Sequence, residues 1–111
     1  MYIIFKDSKF QQLCHDGRKL IKKYGYNNSS KIVQRLNELM AVNSLGIMLQ
    51  FKIGRCHPLT ENLKGKFALD LEHPKRLIFE PIFEEEVDLS NINYCIVKKV
   101  RVLGVIDYHG K

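Results

Sequence analysis

Residues 66–82 read KFALDLEHPKRLIFEPI, and this stretch decides the fold. Phe67, Leu69 and Leu71 alternate with Ala68 and Asp70, the period of two that sends successive side chains to opposite faces of a strand. The tetrapeptide EHPK then supplies turn residues, and RLIFEPI resumes a β-prone run. The spacing predicts a β-hairpin.

Toward the C-terminus, Glu84, Glu85, Glu86 and Asp88 form an acidic run that reads as a solvated loop. Beyond it, YCIVKKVRVLGVIDY (94–108) alternates again. Val100, Val102, Gly104 and Ile106 fall on one face, with Arg101, Leu103, Val105 and Asp107 on the other. A long final strand is expected, delivering DYHGK (107–111) to its end.

Toward the N-terminus, YIIF (2–5) reads as a buried first strand. From Ser8, the residues Phe10, Leu13, Cys14, Leu20, Ile21 and Tyr24 share one helical face, and Gly25 offers a stop. A second helix is expected after an N-cap at Ser29 or Ser30, with Ile32, Val33, Leu36, Leu39 and Met40 at helical spacing. The two helices make an antiparallel hairpin, and residues 43–60 show no clean period and read as mostly irregular. A strand, a helical hairpin and a run of mostly antiparallel strands specify an α+β domain over residues 1–111, with the helices covering one sheet face.

The chain carries 18 Lys and Arg against 12 Asp and Glu, a formal charge of +6, which favours a polyanionic partner such as nucleic acid or an acidic protein. The charge is uneven. Residues 1–78 hold 14 cations and 6 anions, a balance of +8, whereas residues 79–111 hold 4 and 6, a balance of −2. Cys14, Cys56 and Cys95 are odd in number and the opening MYIIFK lacks signal-peptide features, so a reduced, cytoplasmic protein is expected. No apolar run approaches bilayer-spanning length. Cys14-His15 and Cys56-His57 lack the spacing of a zinc site, and neither a metal nor a cofactor is expected.

The residues able to carry chemistry are His57, Lys64, Lys66, Arg76, Asp107, Tyr108 and His109, on a loop, strand ends and the terminus. Their types suit RNA cleavage: a base takes the 2′-hydroxyl proton, an acid protonates the departing oxygen, and cations stabilise the phosphoryl oxygens. Each also has a plainer reading. His57 precedes a proline on the surface, Tyr108 covers a core edge, and Arg76 has Glu80 and Asp70 as cross-strand ion-pair candidates.

The string RCHPLTENLKGKFALDLEHPKRLIFEP (55–81), with the terminal DYH, resembles toxins of the RelE/ParE superfamily, in its HigB-like branch. The matching elements are R-x-H-x-L at Arg55, His57 and Leu59, the strand from Gly65 to Leu71, RLIF from Arg76, and Asp107-Tyr108-His109. The resemblance implies an endoribonuclease that cuts messenger RNA, commonly on the ribosome, and is silenced by an antitoxin, here a HigA-like helix-turn-helix protein. It assigns catalysis to His57, Asp107, Tyr108, His109 and Arg76, and RNA contact to Arg55, Lys64 and Lys66. A non-catalytic module of the same fold, binding gyrase as the ParE branch does or only its antitoxin, is the alternative. For one site to form, the last strand must break near Tyr108 and bring His109 toward His57.

Overall fold

The computed structural model describes residues 1–107, and its α+β architecture follows the order expected from the sequence. Strand β1 (Tyr2–Phe5) is followed by helices α1 (Ser8–Cys14), α2 (Gly17–Ala41) and α3 (Leu45–Gln50). Strands β2 (His57–Pro58), β3 (Phe67–Asp70), β4 (Lys75–Pro81) and β5 (Lys99–Asp107) complete a sheet of order β1-β5-β4-β3-β2. All neighbours are antiparallel except β1 and β5. The hairpin of residues 66–82 forms with Phe67 opposite Phe79 and Asp70 opposite Arg76. Among the described residues, no helix is long and apolar enough to cross a membrane.

One sheet face packs under the helices. Leu20, Ile32, Leu36 and Leu39 of α2 join Phe67, Leu69, Leu77, Phe79, Val100 and Val102 in one buried cluster. Phe67 and Phe79 stack at 5.7 Å between ring centroids, and complete burial of each such side chain is worth about 1.5–3 kcal/mol. Asn28, buried on α2, accepts a hydrogen bond from the Glu72 amide at 2.8 Å and ties the helix to the β3–β4 turn. The N-terminal ammonium of Met1 donates to the carbonyls of Leu39, Met40 and Val42, which the end of α2 leaves without helical partners.

Several local expectations need correction. The first predicted helix breaks at His15, because Asp16 caps a new helix by accepting from the Lys19 amide at 3.3 Å. Gly25 does interrupt α2, at φ +83°, but helical structure resumes directly after it, so Ser29 and Ser30 lie inside the helix rather than at its cap. Residues 43–60 are not mostly irregular: Ser44 caps α3, whose Leu45 and Met48 are buried. Strand β1 is an edge strand with one open side, so it is half-exposed rather than buried, and Tyr2 is 76 % exposed.

The largest correction concerns β5. Ile78 faces Gly104 but Phe79 faces Val102, so β5 carries one extra residue, a β-bulge. Gly104 adopts φ +132°, a conformation other residues resist. The bulge reverses the alternation beyond it. Val105 therefore joins Val100 and Val102 beneath the helices, while Ile106 joins Leu103 on the opposite face. There Leu59, Ala68 and Ile78 form a second small apolar cluster, with Leu63, Leu103 and Ile106 packed on it.

Candidate functional site

The face opposite the helices carries the charged groups. Paired residues on adjacent strands point to the same side, so His57, Lys66, Asp70, Arg76, Glu80 and Arg101 all share this face with Ala68 and Ile78. The segment leading to His57 has an unusual backbone. Lys52, Gly54 and Arg55 have φ of +52°, +61° and +54°, and Glu61, four residues past His57, has +57°. Left-handed conformations in non-glycine residues cost on the order of 1 kcal/mol each and gather at functional sites.

Three contacts hold this loop. Arg55 Nε and Nη2 donate to the two carboxylate oxygens of Asp70 at 2.6 and 3.1 Å, a bidentate pair across from the loop. Arg35 of α2, nearly buried, donates from Nε to the Asp70 carbonyl at 2.7 Å, and its side chain lies directly against Gly54. Cys56 is buried beneath the segment, and desolvation pushes its thiol up to about 12. Cys14 is likewise raised to about 11 by burial, so both thiols are inert near neutral pH.

His57 is held by both ring nitrogens. Nδ1 lies 2.7 Å from the Arg55 carbonyl, and Nε2 lies 3.2 Å from Arg76 Nη1. A carbonyl only accepts and a guanidinium only donates. Nδ1 therefore carries the proton, and Nε2 presents its lone pair to Arg76. Arg76 Nε in turn lies 3.8 Å from Asp70. Burial alone would raise the Asp70 carboxyl, but the hydrogen bonds and charge of Arg55, and then the charge of Arg76, outweigh it and hold it below the usual range. Asp70 thus stays ionised and orients two cations beside the imidazole.

The expected site residues are only partly assembled here. His57, Arg76 and Arg55 come together. Lys66 instead lies 3.8 Å from Glu80, further along the sheet, and Lys64 is exposed on the turn before β3. Asp107 faces Lys75 in register, with its carboxylate 3.3 Å from Nζ, in the layer that the bulge turns toward the helices. Tyr108 and His109, and with them the expected break in the last strand, lie outside the described residues. Asp70 and Arg35 are site residues that the sequence motifs did not single out. The signal for Asp70 was its place opposite Arg76 in the hairpin; Arg35 carried none, since only the fold brings it to Gly54.

No family model matches the chain, and no curated protein matches it. Among solved structures, a YoeB/ParE toxin from Agrobacterium tumefaciens aligns over 98 % of this chain and 100 % of its own, with a TM-score of 0.55 and 11 % identity. The two chains share a fold across their lengths. At that identity the likeness extends to the fold and not to the chemistry.

Proposed function

We propose that this chain is the toxin of a type II toxin–antitoxin module and acts as an endoribonuclease that cuts messenger RNA, in association with the ribosome, without a metal. The observation that carries the reading is the His57 arrangement: an imidazole whose Nδ1 lies 2.7 Å from the Arg55 carbonyl and whose Nε2 lies 3.2 Å from Arg76, while Asp70 orients Arg55 and Arg76. The toxin-like fold supports it further.

In the resting protein, Arg76 occupies the Nε2 lone pair. A phosphodiester binding between Arg55 and Arg76 draws the guanidinium toward its oxygens and frees Nε2 to accept the 2′-hydroxyl proton. The 2′-oxygen then attacks phosphorus and the P–O5′ bond breaks. The products are a 2′,3′-cyclic phosphate and a 5′-oxygen that must receive a proton. Tyr108 or His109 is assigned that acid role, with Asp107 supporting the terminus. The two arginines stabilise charge on the phosphoryl oxygens as it develops. The proposed silencing partner is a HigA-like antitoxin.

The test is controlled expression in growing cells. Wild-type protein should arrest growth and leave new messenger-RNA ends within minutes, and His57→Ala should do neither. Arrest without RNA cleavage would support a binding module of the same fold instead. Equal arrest by His57→Ala would remove His57 from the mechanism.

A further inference from the structure

The face that carries His57 has a second charged row. Lys66, just before β3, stands beside Glu80 of β4 and Arg101 of β5, because Phe67 pairs with Phe79 and Glu80 pairs with Arg101. Arg101 Nη1 donates to Glu80 at 2.7 Å, and Lys66 Nζ lies 3.8 Å from the other carboxylate oxygen. The construction repeats that of the site itself, where one carboxylate, Asp70, holds two cations. Each row keeps a net charge of +1. Asp70 lies four steps along the chain from Lys66, so the rows lie about 13 Å apart at ~3.3 Å per strand residue.

The row also continues outward. Lys99 is two residues before Arg101 on β5 and shares its face, and it pairs with Tyr2 on the edge strand. Tyr2 is 76 % exposed and Ile4, beside Arg101, is 39 % exposed. An exposed aromatic beside paired cations is the combination that single-stranded nucleic acid uses, with phosphates on the cations and a base on the ring.

We infer that Lys66 and Arg101, oriented by Glu80, form a second phosphate subsite for single-stranded RNA, and that Tyr2 beside Lys99 stacks a base beyond it. The inference rests on the reading of the chain as an RNA-cleaving protein. It fixes the path of the substrate: from the scissile phosphate at His57 and Arg76, the strand crosses β4 and β5 toward the open edge of β1. Glu80 is a positioning residue, which keeps the two cations apart and forward without cancelling them.

The experiment measures binding of 2′-O-methyl RNA, which cannot be cleaved, as a function of salt. The probes are a dinucleotide and an oligonucleotide long enough to reach Tyr2. Arg101→Ala and Lys66→Ala should each weaken the longer RNA several-fold and lower the salt slope by ~0.7 per lost phosphate contact. Tyr2→Ala should weaken it with the slope unchanged, and none of the three should alter dinucleotide binding. Glu80→Gln separates recognition from structure: it removes the carboxylate but leaves both cations, so RNA binding should hold or tighten even where thermal stability falls. If wild type binds the longer RNA and the variants bind it equally well, the subsite is wrong and the cleavage reading stands. If wild type binds neither RNA, both fall. Tighter, Arg101-dependent binding of an acidic peptide of matched charge would assign the row to a protein partner and overturn the inference.

Discussion

Replacing Asp70 with asparagine tests the site where its charges converge. The substitution keeps the shape of the side chain but removes the charge and turns one acceptor into a donor facing Arg55. The ion pair is partly solvated, with Arg55 and Asp70 side chains 56 % and 34 % exposed, so screening limits it to ~0.2–1 kcal/mol. Loss of one hydrogen bond adds ~1 kcal/mol. The expected destabilisation is therefore about 1–2 kcal/mol, a fall in Tm of ~4–8 °C for a chain of this size. Its pH dependence carries the sharper test. The folded protein holds the Asp70 carboxyl below its ordinary value of 3.8, so the pair stabilises the fold above that value and is lost as pH falls through the lowered one. The gap between wild type and Asp70→Asn should be full at pH 6 to 7 and narrow as pH falls below 3.8. Cleavage should fall by ~10–100-fold as Arg55 and Arg76 lose their orientation, while RNA affinity holds or rises with the added positive charge. Chemical denaturation across pH, paired with cleavage assays, reads both. A gap that persists unchanged to pH 3, or full activity in the variant, would refute the role given to Asp70.

Three further outcomes follow from the same geometry. Nitrogen-15 NMR should report the uncharged His57 ring as the Nδ1–H tautomer, held by the Arg55 carbonyl and Arg76, and Arg76→Ala should release it into a mixture of tautomers. Gly54→Ala introduces a Cβ 2.9 Å from Arg35 Cδ at φ +61°; urea unfolding should show a loss of ~1–3 kcal/mol, with a drop in cleavage because Arg35 anchors the Asp70 carbonyl. Iodoacetamide at pH 8 should modify exposed Cys95 rapidly and leave Cys14 and Cys56 largely untouched, since burial keeps both thiols protonated; mass spectrometry counts the adducts.

The hairpin, the helical cover and the final strand were legible because their apolar residues keep a regular period over several turns or steps. Phe67, Leu69 and Leu71 all went where alternation sent them. What failed was short or interrupted. Helix α3 is only six residues long and half-buried on several sides, so LGIMLQ shows no clean stripe, although Ser44 followed by Leu45 and Met48 was a capping signal. In β5 the pattern was read straight through Gly104, yet a glycine inside a strand often marks a bulge, and one extra residue exchanges the faces of everything after it. That exchange moves Asp107 to the Lys75 side. At the site, His57 and Arg76 were visible as residue types, but their contact depends on β2 and β4 flanking β3 in the sheet. The tautomer of His57 depends on the Arg55 carbonyl, whose direction is set by left-handed backbone that no residue pattern announces.

The central claim is that this chain cuts RNA by attack of the 2′-hydroxyl with His57 as the base. It is tested most directly by the chemistry of the cut ends. Purified wild-type protein, given messenger RNA on translating ribosomes and, separately, free RNA in chelator, should yield fragments ending in 2′,3′-cyclic phosphate and beginning with a 5′-hydroxyl, and His57→Ala should yield none. Fragments with 3′-hydroxyl and 5′-phosphate ends, or RNA left intact by the wild type in both settings, would contradict it.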